Sequence, residues 1–163
     1  NGIVLWKRAN GIDSTPIEPY SERKSISTER TFEKDCIDIK YINDLLVTMV
    51  EKIGFQLRKK QKLTACVTVK IRYSNFDTHT MQKRIAYTSF DHVLIDIVKE
   101  LFKKLYQRRM LIRLVGVRFS NLVHGVQQLN LFEDTPEMIK LHMAMDLLKR
   151  KYGSKIVRRA VGA

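Results

Sequence analysis

Two hydrophobic rhythms organise this chain. Over residues 63–74, LTACVTVKIRYS, apolar Leu63, Ala65, Val67, Val69, Ile71 and Tyr73 alternate with Thr64, Cys66, Thr68, Lys70, Arg72 and Ser74. A period of two predicts a strand with one face in a core and the other bearing hydroxyls and cations. Just before it, DIKYINDLLVTMVEKIGFQLRKK (38–60) places apolar residues at 42, 45, 46, 49, 50, 53 and 57, the stripe of a helix buried on one side. Asp38 suits its N-cap, Arg58, Lys59 and Lys60 suit the negative pole at its end, and Gly54 interrupts it.

The same reading extends outward. KSISTERTF (24–32) is β-branched and aromatic enough for a strand, with imperfect parity that suggests a bulge. After a loop at 75–77, THTMQKRIAYT (78–88) puts Thr80, Gln82 and Arg84 on one face and Met81, Ile85 and Tyr87 on the core face, with Lys83 placed awkwardly among the latter. SFDHVLIDIVKELFKKLYQRR (89–109) carries apolar residues at 94, 97, 98, 101, 102 and 105, a second amphipathic helix that Ser89 or Asp91 could cap. LIRLVGVRFS (111–120) is a mostly apolar strand in which Arg113 and Arg118 have opposite parity, so a kink near Gly116 is needed for both to reach one surface.

The predicted order is β-α-β-β-α-β. Two helices with single apolar stripes must lie against the same side of one sheet, giving an α+β domain: a four-stranded antiparallel sheet with both helices on one face. The other face stays open and carries Thr64, Thr68, Lys70, Arg72, Gln82 and Arg84. Outside this domain, NGIVLWKRANG reads as the last turns of a longer helix stopped by Gly11, and IDSTPIEPYSER (12–23) reads as an extended linker around Pro16 and Pro19. At the other end, Thr135 before Pro136 and Glu137 starts a helical tail with a narrow apolar seam, Met138, Leu141, Met145 and Leu148, ending at Gly153.

Charge sharpens the picture. With 30 Lys and Arg against 17 Asp and Glu, the net charge is +13. Such an excess attracts polyanions and releases their counterions on binding, so nucleic acid leads. Arginines and hydroxyls spread over a sheet without stacked aromatics suit backbone phosphates better than bases. An anionic membrane surface competes, but no helix pairs a Lys/Arg face with Trp and Phe, and no apolar run approaches the roughly 20 residues of a membrane span. Cys36 and Cys66 lie far apart, without a CxxC or a His at ligand spacing, and fit a reducing cytoplasm. His79, His92, His124 and His142 show no metal or nucleophile-partner spacing and are expected to be surface or hydrogen-bonded structural residues. Asp77, Asp91 and Asp96 are expected at caps or on solvated faces.

The segments GID…P (11–16), KSISTERTF, TVKIRYSNFDTHT (68–80), IRLVGVRFSNL (112–122) and QLNLF (128–132) together resemble the C-terminal part of Y-family translesion DNA polymerases of the bacterial DNA polymerase IV type. The resemblance implies that 1–11 ends the thumb, 12–23 is the linker, 24–122 is the little finger domain that holds primer–template DNA across the major groove, and 123–163 is a clamp-binding motif with a helical tail. It places phosphate contacts at Ser25, Ser27, Thr28 and Arg30, then at Thr64, Thr68, Lys70, Arg72, Gln82 and Arg84, and finally at Arg113 and Arg118. It implies no catalytic residue, metal or cofactor in this stretch, because the carboxylates that hold two Mg ions for phosphoryl transfer belong to the family's palm. A monomer is expected.

QLNLF resembles the pentapeptide by which bacterial polymerases attach to the sliding clamp. Gln128 would hydrogen-bond at the pocket rim, Leu129 pack beside it, and Leu131 and Phe132 fill an apolar cavity. The other reading of Leu131 and Phe132 is a hydrophobic staple onto the domain or the following helix. The motif often sits at the extreme C-terminus, whereas about thirty residues follow it here, and their helix could cover it until the clamp displaces it. Two other functions share the element order or composition: a free-standing RNA-binding module of the RRM kind, which would need aromatics on its central strands, and a structural adaptor that leaves the sheet cations unused.

Overall fold

In a computed structural model, residues 2–19, 21–125, 135–154, 156–157 and 159–160 are described. The elements run α1 (Gly2–Ala9), β1 (Ser25–Cys36), α2 (Ile39–Lys59), β2 (Lys62–Tyr73), β3 (Thr78–Thr88), α3 (Asp91–Leu105), β4 (Ile112–His124) and α4 (Thr135–Tyr152). The sheet order is β1-β4-β2-β3 and every pairing is antiparallel. Ile42, Leu46, Val50, Ile53 and Leu57 of α2 and Leu94, Val98, Leu101 and Phe102 of α3 form one core with Val67, Val69, Ile71 and Tyr73 of β2 and with Val115, Val117 and Phe119 of β4. The α+β architecture expected from the periodicities is therefore the observed one, with both helices on the same face.

Local rules explain most boundaries. Asp38 caps α2, its carboxylate accepting the Tyr41 amide at 3.0 Å. Gly11 and Gly153 stop their helices at φ +74° and +98°, a conformation that costs glycine nothing. The N-cap of α3 departs from expectation: Phe90 holds the position and no side chain caps it. Asp91 is instead buried, its carboxylate accepting the Arg58 guanidinium at 2.7 Å. Gly54 makes this possible, because a Cβ there would collide with Asp91 Oδ1. The glycine that seemed a flaw in α2 is the seat for the first residue of α3.

Lys83 is also resolved. Its register, opposite Val67, points it to the helix side, where its Nζ donates to Glu100 at 2.7 Å. Hydrogen bonds from Lys104 and Lys83 hold the Glu100 carboxyl down to about 2. Tyr87, expected in the core, is exposed, because β3 carries extra residues between Arg84 and Thr88 that break the alternation.

The tail helix docks on one edge of its apolar seam: Met138 and Met145 are half-buried beside polar residues of the same face. Leu141 and Leu148 of the apolar seam are 51% and 43% exposed, while His142, Asp146 and Lys149 are buried. Arg58 draws Asp146 in, donating to it at 2.8 Å while also holding Asp91 and the Ser89 carbonyl. Burial alone would lower the Arg58 pKa, but hydrogen bonds from its guanidinium to Asp146 and Asp91 outweigh that and keep it firmly charged. His142 stacks on Phe90 with centroids 5.5 Å apart, and neither ring nitrogen has a hydrogen-bond partner. Burial and the Arg58 charge push its pKa down, so the ring sits there neutral. Nearby, burial raises the Glu51 carboxyl, and Lys149 and Arg159 pull it partly back. The capping expected of the Thr135 side chain lies outside the described residues.

Candidate nucleic-acid interface

The sheet registers fix which side chains share the uncovered face. Four rungs cross it in the order β1, β4, β2, β3: Ser25–Ser120–Cys66–Arg84, Ser27–Arg118–Thr68–Gln82, Glu29–Gly116–Lys70–Thr80 and Thr31–Leu114–Arg72–Thr78. Residues directly opposite in an antiparallel pair point the same way, and their neighbours along each strand point into the core. Of the expected contacts, Ser25, Ser27, Thr68, Lys70, Arg72, Gln82, Arg84 and Arg118 stand together on this face. Arg118, Gln82 and Arg84 are exposed, and Arg72 donates from Nε to Thr78 Oγ1 at 2.8 Å, which fixes its guanidinium against β3.

Four expected residues fall elsewhere. Thr64 has the right parity but is fully buried, and its hydroxyl donates to the Ser120 carbonyl at 2.7 Å, so it is spent on the sheet. Thr28 and Arg30 pair with Val117 and Val115, residues of the core, which turns both toward the helix side of edge strand β1. Arg113 sits where β4 slips register: Ile112 opposes Tyr73 while Leu114 opposes Arg72. The kink expected near Gly116 is therefore at Arg113 itself. Its guanidinium lies 4.7 Å from the Phe76 ring centroid and 3.7 Å from Asp35, at the end of the sheet beside the β2–β3 turn.

Sequence reasoning missed Glu29, Thr31, Thr78 and Ser120. Thr78 could have been found from the parity of Thr80 and Gln82, and Ser120 from that of Arg118. Glu29 was hidden because the register of β1, broken between Thr31 and Cys36, left its faces ambiguous. None of the rung residues is aromatic, so this face lacks the stacking platform that single-stranded RNA readers use. Among the described residues no group of three His, Cys, Asp or Glu could hold a metal ion, and no helix is long and apolar enough to cross a membrane. Gln128, Leu129, Leu131 and Phe132 lie outside the described residues.

The site is thus one face of an antiparallel four-stranded sheet, cationic and hydroxyl-rich, with two helices packed on the opposite face. The chain belongs to the Y-family DNA polymerases as their C-terminal, little finger domain: the model of the impB/mucB/samB family C-terminal domain matches residues 23–131. DNA polymerase IV of Clostridium acetobutylicum is 34% identical over 168 residues, 99% of this chain and 42% of that protein. DNA polymerase IV of Dehalococcoides mccartyi is 34% identical over 156 residues, 94% of this chain and 40% of that one. The chain thus spans about two fifths of the curated relatives it matches. Among solved structures, a chain from a complex of the beta-clamp processivity factor and the little finger domain of PolIV shares the fold at TM-score 0.51 and 19% identity, covering 67% of this chain and 99% of that one. A Y-family DNA polymerase chimera also matches at TM-score 0.51 and 22% identity, covering 76% of this chain and 35% of that chain.

Proposed function

We propose that this chain holds primer–template duplex for a translesion DNA polymerase and tethers that enzyme to the sliding clamp. The single observation that carries the first half is the shared orientation of Arg72, Arg84, Arg118 and Lys70, with Ser27, Thr68 and Gln82 between them, on one uncovered sheet face. Cations and hydroxyls at strand spacing meet the sugar–phosphate backbone irrespective of sequence, which is what a polymerase moving along a template requires. Nucleotidyl transfer itself falls to a metal-holding palm elsewhere in the protein, with Mg ions stabilising the developing charge. Residues 24–122 act as the DNA-holding unit on the linker 12–23, and the chain works as a monomer in the cytoplasm.

The clamp half rests on QLNLF, and on a structural relative, the little finger domain of PolIV, whose structure is a complex with the beta-clamp processivity factor. Gln128, Leu129, Leu131 and Phe132 are the anchors. A clamp pull-down separates the readings: Leu131→Ala with Phe132→Ala should lose the clamp, and retention at the wild-type level would refute the assignment. For the duplex, affinity is measured against primer–template DNA and single-stranded RNA at two salt concentrations. Duplex should bind more tightly, with little sequence dependence and a steep loss at the higher salt. Equal or tighter RNA binding would overturn the proposal.

A further inference from the structure

The open face holds one carboxylate among the described residues of its rungs, and the sheet makes room for it. Glu29 is on β1 and Lys70 on β2, with β4 between them, so their backbones are about 10 Å apart. At that rung β4 supplies Gly116. The Glu29 side chain lies across the gap, so that a Cβ on Gly116 would stand 2.7 Å from Glu29 Cγ. Its carboxylate reaches Lys70, whose Nζ donates at 3.1 Å to both oxygens. The backbone of Gly116 lies outside the left-handed region, so no turn requires glycine there; what a side chain would displace is Glu29.

We propose that Glu29 is an internal substitute for a DNA phosphate. It presents two anionic oxygens to Lys70 in the free domain, and a duplex must displace it before Lys70 can join the grip. This rests on the duplex-binding reading of the open face. The pair is 28% and 43% exposed at its two side chains, so solvent screens it and it exchanges readily. While it holds, one cation is subtracted from the electrostatic attraction for the duplex, and the binding is weaker than the cations on this face could deliver. The glycine is then the permissive element: it exists to let the carboxylate cross.

The test is a salt titration of duplex affinity for the wild type, Glu29→Gln, Gly116→Ala, and the double variant Glu29→Gln with Lys70→Ala. Glu29→Gln keeps the side-chain size and should tighten binding about three- to fivefold at low salt, within the range of an exposed ion pair. The slope of log K against log salt should steepen, by up to about 0.9, because in the wild type salt weakens the competing Glu29–Lys70 pair along with the phosphate contact that replaces it, and in the variant only the latter. Gly116→Ala, by pushing Glu29 aside, should move both quantities in the same direction, and Lys70→Ala should erase the gain of Glu29→Gln. Wild-type binding with an unchanged Glu29→Gln would overturn the inference, as would a gain that survives Lys70→Ala, which is general repulsion only. A wild type that fails to bind duplex would sink the underlying reading as well, and is distinguished by that failure.

Discussion

At the scale of single residues, the structure assigns unexpected weight to Gly54 and Arg58. Glycine inside a helix normally gives way to alanine with a gain of about 1 kcal/mol. Here the added methyl meets Asp91, so Gly54→Ala should instead destabilise by about 1–3 kcal/mol in urea unfolding, the usual cost of overpacking. Arg58→Met removes the only cation hydrogen-bonded to Asp91 among the described residues and leaves that buried carboxylate and Asp146 uncompensated, for an expected loss of about 3–5 kcal/mol. His142 adds a pH dependence. The groups around it are Arg58 of α2, Asp91 and His92 of α3, and Asp146 on its own helix. Its folded pKa lies below the ordinary value of 6.5, so the folded state binds fewer protons than the unfolded chain; its contribution is present above 6.5 and is lost as pH falls through the lowered value. Urea unfolding at pH 7.5 and 5.5 should show the wild type losing stability on acidification, and His142→Gln losing less. None of this was legible in the sequence. The histidine spacing says nothing about a partnerless ring in a stack, and Asp91 looked like a cap.

At the scale of elements, α2 and the stretch of β2 from Val67 to Tyr73 matched their sequence patterns closely because a stripe or an alternation with a single buried face leaves one solution, whereas β3 kept its alternation only as far as the extra residues after Arg84. The tail helix matched only in part. Its seam of Met138, Leu141, Met145 and Leu148 was visible, but Arg58, distant in sequence, draws Asp146 in and rotates α4 so that Met138 and Met145 stay half-buried while Leu141 and Leu148 turn outward. Leu148→Lys should therefore change stability by less than about 0.5 kcal/mol, as for other surface sites. Leu46→Ala, in the core of α2, should cost about 2–5 kcal/mol. Asp146→Ala should speed amide hydrogen exchange along α4 while leaving the protection of β2 and β4 unchanged, since α4 contributes nothing to the sheet core. A uniform loss of protection would show α4 to be integral to the fold.

At the scale of the whole molecule, the net charge of +13 becomes an address only through the sheet. Arg118→Ala or Arg72→Ala should each weaken duplex binding and flatten the log–log salt slope by about 0.9, whereas Thr64→Val should leave the slope alone because its hydroxyl is consumed by the Ser120 carbonyl. Matching slopes for all three variants would mean that the open face is not where the phosphates sit.

The sequence by itself determined the element order, the buried side of α2 and of α3 and the alternation along β2, since these are local periodicities with one low-energy arrangement against a single sheet. Family membership was likewise readable from motif strings. The tertiary structure decided what depends on register and on distant partners. It turned Thr28 and Arg30 to the helix side, because β1 pairs in one frame with β4 rather than another. It moved the kink in β4 from Gly116 to Arg113, and it laid Glu29 over the glycine to reach Lys70. A one-residue slip in pairing exchanges the two faces of a strand, and nothing local to β1 or β4 fixes that slip.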